Sequence, residues 1–295
     1  MMSQANHMKV YGGNQMEKIV KRVVQGSNAV DGAGVKLVRV LGVRTMKDYD
    51  PFLMLDSFDS RNPNDYIAGF PTHPHRGIET ITYLVEGEIE HQDSLGNKGR
   101  IESGGLQWMT AGSGILHQEM PQPKDRILGL QLWLNLPKID KMTEPKYFDI
   151  DKTMVKIVEA AGATVRVISG RYQSVCGVTP HHIQATILDI SLARNQEIVL
   201  PTLPNQTLFI FTLTGGIMCG GKTYAEKSAI LFDDGDGVRV RATQEEDSRF
   251  MFIEAEPLHE SIAWGGPIVM NTDSELEEAH RDLRRGTFIK GSKTS

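Results

Sequence analysis

The feature that most constrains this chain is a rhythm. Short runs rich in β-branched and aromatic residues are broken, about every ten residues, by Gly or Asx turns. In the second half VKIVEA, TVRVISG, ATILDISL, EIVLP, TLFIFTLT, SAILFDD, GVRVRA and RFMFIEAE succeed one another in this way. In the first half the runs are IVKRVV (19–24), VKLVRVLG (35–42), IETITYLVEGEIE (78–90), LQWMTA (106–111) and LGLQLWLNL (128–136). Many short strands at even spacing imply a sandwich or barrel. The 29 glycines suit the tight turns such a fold needs. LGLQLWLNL is apolar almost throughout, so it is expected to be buried on both faces. In VKLVRVLG, alternation places Val35, Leu37 and Arg39 on one face.

A chain of 295 residues is long enough for two domains. The polar stretch PKIDKMTEPKYFDID puts their boundary near residues 137–147, dividing the chain into 1–140 and 141–295. The halves are alike: residues 80–90 (TITYLVEGEIE) and 207–217 (TLFIFTLTGGI) are both apolar strands breaking at a Gly-centred turn, which suggests a duplicated barrel. Gly215-Gly216 and Gly220-Gly221 read as hairpin turns and not as phosphate cradles. Only the end of the chain promises a helix. Thr272 and Glu275 form a capping box, SELEEAHRDLRR is acidic at its start and basic at its end, and Gly286 terminates it. The expected fold class is all-β, two barrels with a C-terminal helix.

Composition narrows the functions available. A net charge of −5 and a pI near 6.0 give no basic surface for nucleic acid. The short cluster Lys18, Lys21, Arg22 reads as a solvated face. Cys176 and Cys219 form no CxxC pair, so neither a disulfide framework nor a zinc knuckle is implied. No apolar run approaches the ~20 residues of a membrane helix, and no secretory signal is visible, so a cytoplasmic protein is expected. Residues 1–16, with His7, are polar and expected to be loose. No nucleophile elbow, P-loop or dinucleotide fingerprint appears.

The chemistry gathers in two short segments. In Phe70-Pro71-Thr72-His73-Pro74-His75-Arg76-Gly77-Ile78-Glu79, residues two apart in extended chain point the same way, so His73 and His75 stand side by side. Pro74 suits a strand start or edge. In Gly114-Ile115-Leu116-His117-Gln118-Glu119-Met120-Pro121, His117 and Glu119 again share a face. Two such pairs converging inside a barrel bring three imidazoles and one carboxylate together. Without thiolates, that set suits iron, manganese, copper, nickel or zinc. A lone H-x-H pair is most often an exposed accident; the second pair makes it a site. Glu79 stays open as a ligand, a carboxylate orienting a histidine, or a rim ion pair with Arg76. If the strand runs on, it lies on the face of His73 and His75. His181 and His182 would point to opposite faces and read as surface or loop. His91 is a wall or exposed residue, and His259 and His280 belong to a turn and the final helix.

At these residues the chain resembles the pirin family of the cupin superfamily. The resemblance runs through DGAGVKLVRVLG, YDPFLMLDSFDS, DYIAGFPTHPHRGIETITYLVEGEIEHQDSLGNKGRI, LQWMTAGSGILHQEMP and LQLWLNLP, and resumes at WGGPIVMNTDSELEEAHRDLRRGTF. It implies a bicupin, two packed double-stranded β-helix barrels with the metal in the first and none in the second. It maps the ligands onto His73, His75, His117 and Glu119 and moves Glu79 to a supporting position. Gly104-Gly105 departs from the Gly-Asp of many relatives, a change expected to touch a surface turn. The resemblance further implies one divalent transition metal, Fe(II) first, with copper, manganese, nickel, cobalt or zinc as alternatives. Some pirins are similar to quercetin 2,3-dioxygenases, which open a flavonol ring with O2. That implies an aromatic small-molecule substrate, Glu119 as proton acceptor, and apolar walls from Phe52, Leu55, Trp108 and Leu132. Others are regarded as iron-dependent regulators that bind a partner protein according to metal redox state. A third possibility is a cupin activity on another small molecule.

Overall fold

The computed structural model of the chain describes residues 17–290, so His7 and the first sixteen positions lie outside the described residues. Each half contributes one seven-stranded and one four-stranded antiparallel sheet. In the first half the larger sheet runs, edge to edge, Lys146–Ile150, Leu106–Thr110, Ile78–Glu86, Ile127–Asn135, Phe52–Ser60, Val35–Leu41, Ser27–Asp31. The smaller runs Phe70–His75, Ile115–Pro121, Glu88–Asp93, Lys98–Glu102.

The second half repeats this order. Ser228–Phe232, Thr207–Thr214, Ser248–Ala255, Thr186–Leu192 and Ala163–Ser169 take the places of the five central strands. The two segments whose likeness suggested duplication, Ile78–Glu86 and Thr207–Thr214, hold equivalent positions. Two strands cross between the halves, one near the start of the chain and one at the expected boundary. Val20–Gln25 pairs with Ser228–Phe232 of the second sheet, and Lys146–Ile150 pairs with Leu106–Thr110 of the first.

The larger sheets pack face to face, because each carries apolar residues on its outer face as well as its inner one. Phe52, Leu55, Trp108 and Leu132 of the first half share one buried core with Phe209, Phe211, Leu231 and Ile253 of the second. The Tyr49 and Phe52 rings meet Phe209 edge-on at 5.4 and 5.2 Å. A polar bridge crosses the same interface: Tyr83 Oη donates to Asp189 Oδ2 at 2.6 Å, and the Arg249 guanidinium clasps that carboxylate.

The capping box forms as read. Thr272 accepts from Glu275 N, Glu275 reaches back, and helix Asp273–Arg285 ends on Gly286 at φ 70°. The helix is not an appendage. Buried Arg76, next to His75, donates to Asp282 Oδ2 (2.8 Å), Phe288 O (2.8 Å) and Ser113 O (2.7 Å). The end of the second half is thus tied to the first. No helix among the described residues is long and apolar enough to cross a membrane.

Candidate metal centre

Strand Phe70–His75 lies antiparallel to Ile115–Pro121 with His73 opposite His117. Opposed residues share a face, so this register converts two sequence pairs into one cluster. The ligand nitrogens of His73, His75 and His117 all lie within 4.8 Å of one another, and no other group of three or more potential ligands occurs among the described residues.

The outward nitrogen of each ring is spoken for. His73 Nδ1 sits 2.9 Å from Pro71 O, His75 Nδ1 3.0 Å from Pro267 O, and His117 Nδ1 3.5 Å from His91 Nδ1. The inner nitrogens converge, with His73 Nε2 and His75 Nε2 3.1 Å apart. His117 Nε2 is buried with no hydrogen-bond partner. An orphaned buried nitrogen is costly, and here it faces the place where a cation would satisfy it. Burial, helped by repulsion between neighbouring imidazoles, pushes His75 down to about 3 and His117 well below the usual histidine range. Both rings are therefore neutral near pH 7, with lone pairs free to coordinate.

Glu119 lies outside that mutually close trio. It is buried at 2% exposure. Oε1 accepts from Thr82 Oγ1 and Oε2 from Gln131 Nε2, each at 2.7 Å. Among the described residues no Lys, Arg or His forms an ion pair with it. A buried carboxylate without a cation is strongly disfavoured, and a divalent metal held by the imidazoles beside it would supply the charge. Three neutral nitrogens and one carboxylate suit a transition metal.

Glu79 goes elsewhere. The chain turns at Gly77, at φ 77°, where an added Cβ would meet Val269 O at 1.9 Å. Past that break Glu79 faces the second half, accepting from Thr110 Oγ1 at 2.8 Å with Ile183 N at 3.5 Å. Arg76 pairs with Asp282 instead, so the rim ion pair does not form. His91 is a wall residue. It is 3% exposed, stacked on Tyr147 with ring centroids 4.5 Å apart, and bonded to Gln107 Nε2 through Nδ1 at 2.9 Å. His181 and His182 sit in a loop, as read, with His182 Nδ1 3.1 Å from Asp140.

The expected apolar walls need correction. Phe52, Leu55, Trp108 and Leu132 face the other half, while their sequence neighbours turn inward. A cavity of about 620 Å³ opens onto His73 and His75, walled by Met54, Trp133, Trp264 and Pro267. Trp133 meets His75 edge-on at 4.9 Å and lies tilted against Trp264 at 6.0 Å. Trp264 and Pro267 belong to the second half, so the site is finished by a segment nearly 200 positions downstream of His75 (192 from it to Pro267). Local alternation could not reveal that contact. A more open groove of about 960 Å³ over Lys18–Arg22 lies apart from the cluster.

Comparison with known proteins follows this geometry. The Pirin family model matches residues 34–134, and the Pirin C-terminal cupin domain matches 187–289. A Pseudomonas aeruginosa protein named "Putative quercetin 2,3-dioxygenase" is 41% identical, covering 89% of this chain and 95% of its own length. Human pirin is 38% identical over 86% of this chain and 88% of its own. The crystal structure of quercetin 2,3-dioxygenase from Acinetobacter baumannii superposes with a TM-score of 0.85 at 31% identity, covering 92% of this chain and 99% of that one. With both halves matched by their family models and the two-barrel architecture in common, the chain belongs to the pirin family of bicupins.

Proposed function

We propose that this protein is a metal-dependent dioxygenase acting with O2 on a flavonol or a similar aromatic small molecule, with iron held by His73, His75, His117 and Glu119. The observation that carries this reading is the cavity of about 620 Å³, which opens directly onto the His73 and His75 rings and is walled by two tryptophans. A site that served only to report metal redox state would not need a chamber of ligand size. The quercetin dioxygenase names of the relatives point the same way.

Bound iron would supply Lewis acidity at a coordinated hydroxyl and a redox-active centre for O2. The remaining work falls to side chains. Glu119 is the base for the substrate hydroxyl. Thr82 and Gln131 each occupy one acceptor position on its oxygens, fixing the carboxylate rotamer while leaving further lone pairs for a proton. Trp133, Trp264 and Met54 cover the aromatic faces of the substrate and exclude water.

The test is turnover. Protein loaded with iron without air, then given quercetin and O2, is expected to bleach the flavonol absorbance and release carbon monoxide. At saturating metal, Glu119→Gln should retain iron through its imidazoles yet lose about 100-fold or more in kcat/KM. Absence of turnover in the iron, copper and manganese forms, with partner capture that depends on Fe(III) over Fe(II), would favour the regulatory reading instead.

A further inference from the structure

One row of side chains crosses the inner face of the first barrel. Following the strand register, Arg39 lies opposite Asp56, Asp56 opposite Gln131, Gln131 opposite Thr82, and Thr82 opposite Gln107. Five adjacent strands thus carry five polar residues at one level. The level on one side is apolar, with Phe58 and Leu84 flanking Gly129. The level on the other holds Met54, Trp133, Thr80 and Met109. The row is therefore a belt of hydrogen-bonding groups between two levels that are apolar apart from Thr80.

Three of the five residues support the metal centre. Gln107 bonds His91, and Thr82 and Gln131 hold Glu119. The other two, Arg39 and Asp56, hydrogen-bond to each other and not to those three. Arg39 donates to both oxygens of Asp56 (2.9 and 2.7 Å) and to Asp31 Oδ2 (2.6 Å). Yet Arg39, Asp56 and Asp31 line the same cavity as His73, His75 and Gln131. The fold does not require such a row. The second barrel makes the equivalent five-strand crossing with Val167, Leu188, Phe252, Ile210 and Ile230, all apolar.

We infer that Asp31, Arg39 and Asp56 bind the edge of the substrate remote from the metal, and that they select a neutral, planar aromatic carrying hydroxyl donors there. Resting on the dioxygenase reading, this names the substrate class within it. Strands are spaced about 4.8 Å apart, so Asp56 and Arg39 stand roughly 5 and 10 Å from the Gln131 strand, the reach of a molecule of two or three fused or linked rings. Two carboxylates against one guanidinium leave the far end of the cavity negative. Carboxylate lone pairs left free by Arg39 accept phenolic protons, whereas a carboxylate or sulfate on the ligand would be repelled.

The experiment is calorimetric titration of the iron-loaded protein without O2, so that binding is read apart from turnover. The probes are quercetin, 3-hydroxyflavone (which keeps only the metal-binding hydroxyl) and a sulfated quercetin. Quercetin should bind about tenfold or more tightly than either of the others, the worth of a hydrogen bond to a charged group. In Asp31→Ala, a half-exposed position, and in Asp56→Asn, that preference should fall to within about threefold while metal content and Tm in the Asp31 variant stay as in the wild type. An unchanged preference in a metal-replete, folded Asp31→Ala protein would overturn the inference, as would tighter binding of the sulfated probe. The two readings fail separately. Hydroxyl-selective binding without carbon monoxide on admitting O2 removes the dioxygenase and leaves the belt. Turnover with equal kcat/KM for quercetin and 3-hydroxyflavone does the reverse.

Discussion

His91 illustrates how far single residues could be read. Ile89, His91 and Asp93 alternate along one strand and are all buried, so an inward-facing histidine was available to a stricter reading of alternation. What alternation cannot supply is the partner, because His117 lies on the neighbouring strand. Since His117 Nδ1 has His91 as its hydrogen-bonding neighbour, His91→Phe removes the group that fixes the tautomer and tilt of a proposed ligand ring. The metal dissociation constant should rise about 10–100-fold, read by competition with a chelator, while His91→Asn, whose Oδ1 stands near the lost Nδ1, should recover most of the affinity. Equal affinities in all three proteins would show that His91 only fills space. The three clustered histidines were legible for a simple reason. Each short motif places its donors two apart, and that spacing works within a single strand.

For whole strands, the existence of most elements and the helix with its capping box followed from local chemistry. Which face pointed where did not. A shift of one residue exchanges the faces of a strand, and LGLQLWLNL is buried on both, so its sequence gave no means to choose Trp133 over Leu132 for the cavity wall. Glu254, in strand Ser248–Ala255, shows a similar concealment: a carboxylate 4% exposed directly after the apolar run Phe250–Ile253. Burial raises it from 4.5 to about 7, only partly offset by the hydrogen bond from Leu203 N. The folded-state value is raised, so its contribution to stability is full below about pH 4.5 and is lost as pH rises through about 7. Glu254→Gln should flatten this dependence, with wild type losing up to about 3 kcal/mol relative to the variant between pH 4.5 and 8 in urea denaturation. Parallel curves would mean that the carboxylate is solvated in solution.

On the scale of the molecule, duplication was visible in two similar strands, but the mutual dependence of the halves was not. It arises from contacts between residues far apart in sequence: exchanged edge strands, a shared apolar core, Arg76 on the C-terminal segment, and Pro267 O on His75. A chain ending at Glu256 keeps all four proposed ligands yet loses Pro267, Trp264 and two of the three partners of Arg76, Asp282 and Phe288. It should bind iron at least tenfold more weakly if it stays folded, as measured by metal analysis after dialysis. Full stoichiometric iron in that truncated protein would make the first barrel self-sufficient.

In the proposed centre a single metal is held by three imidazoles and Glu119 in the first barrel. Anomalous diffraction from crystals of the iron-loaded protein tests it most directly. The account expects one peak about 2.1 Å from Nε2 of His73, His75 and His117 and from a Glu119 oxygen. A peak elsewhere, or none at those nitrogens in protein shown to contain iron, would contradict it.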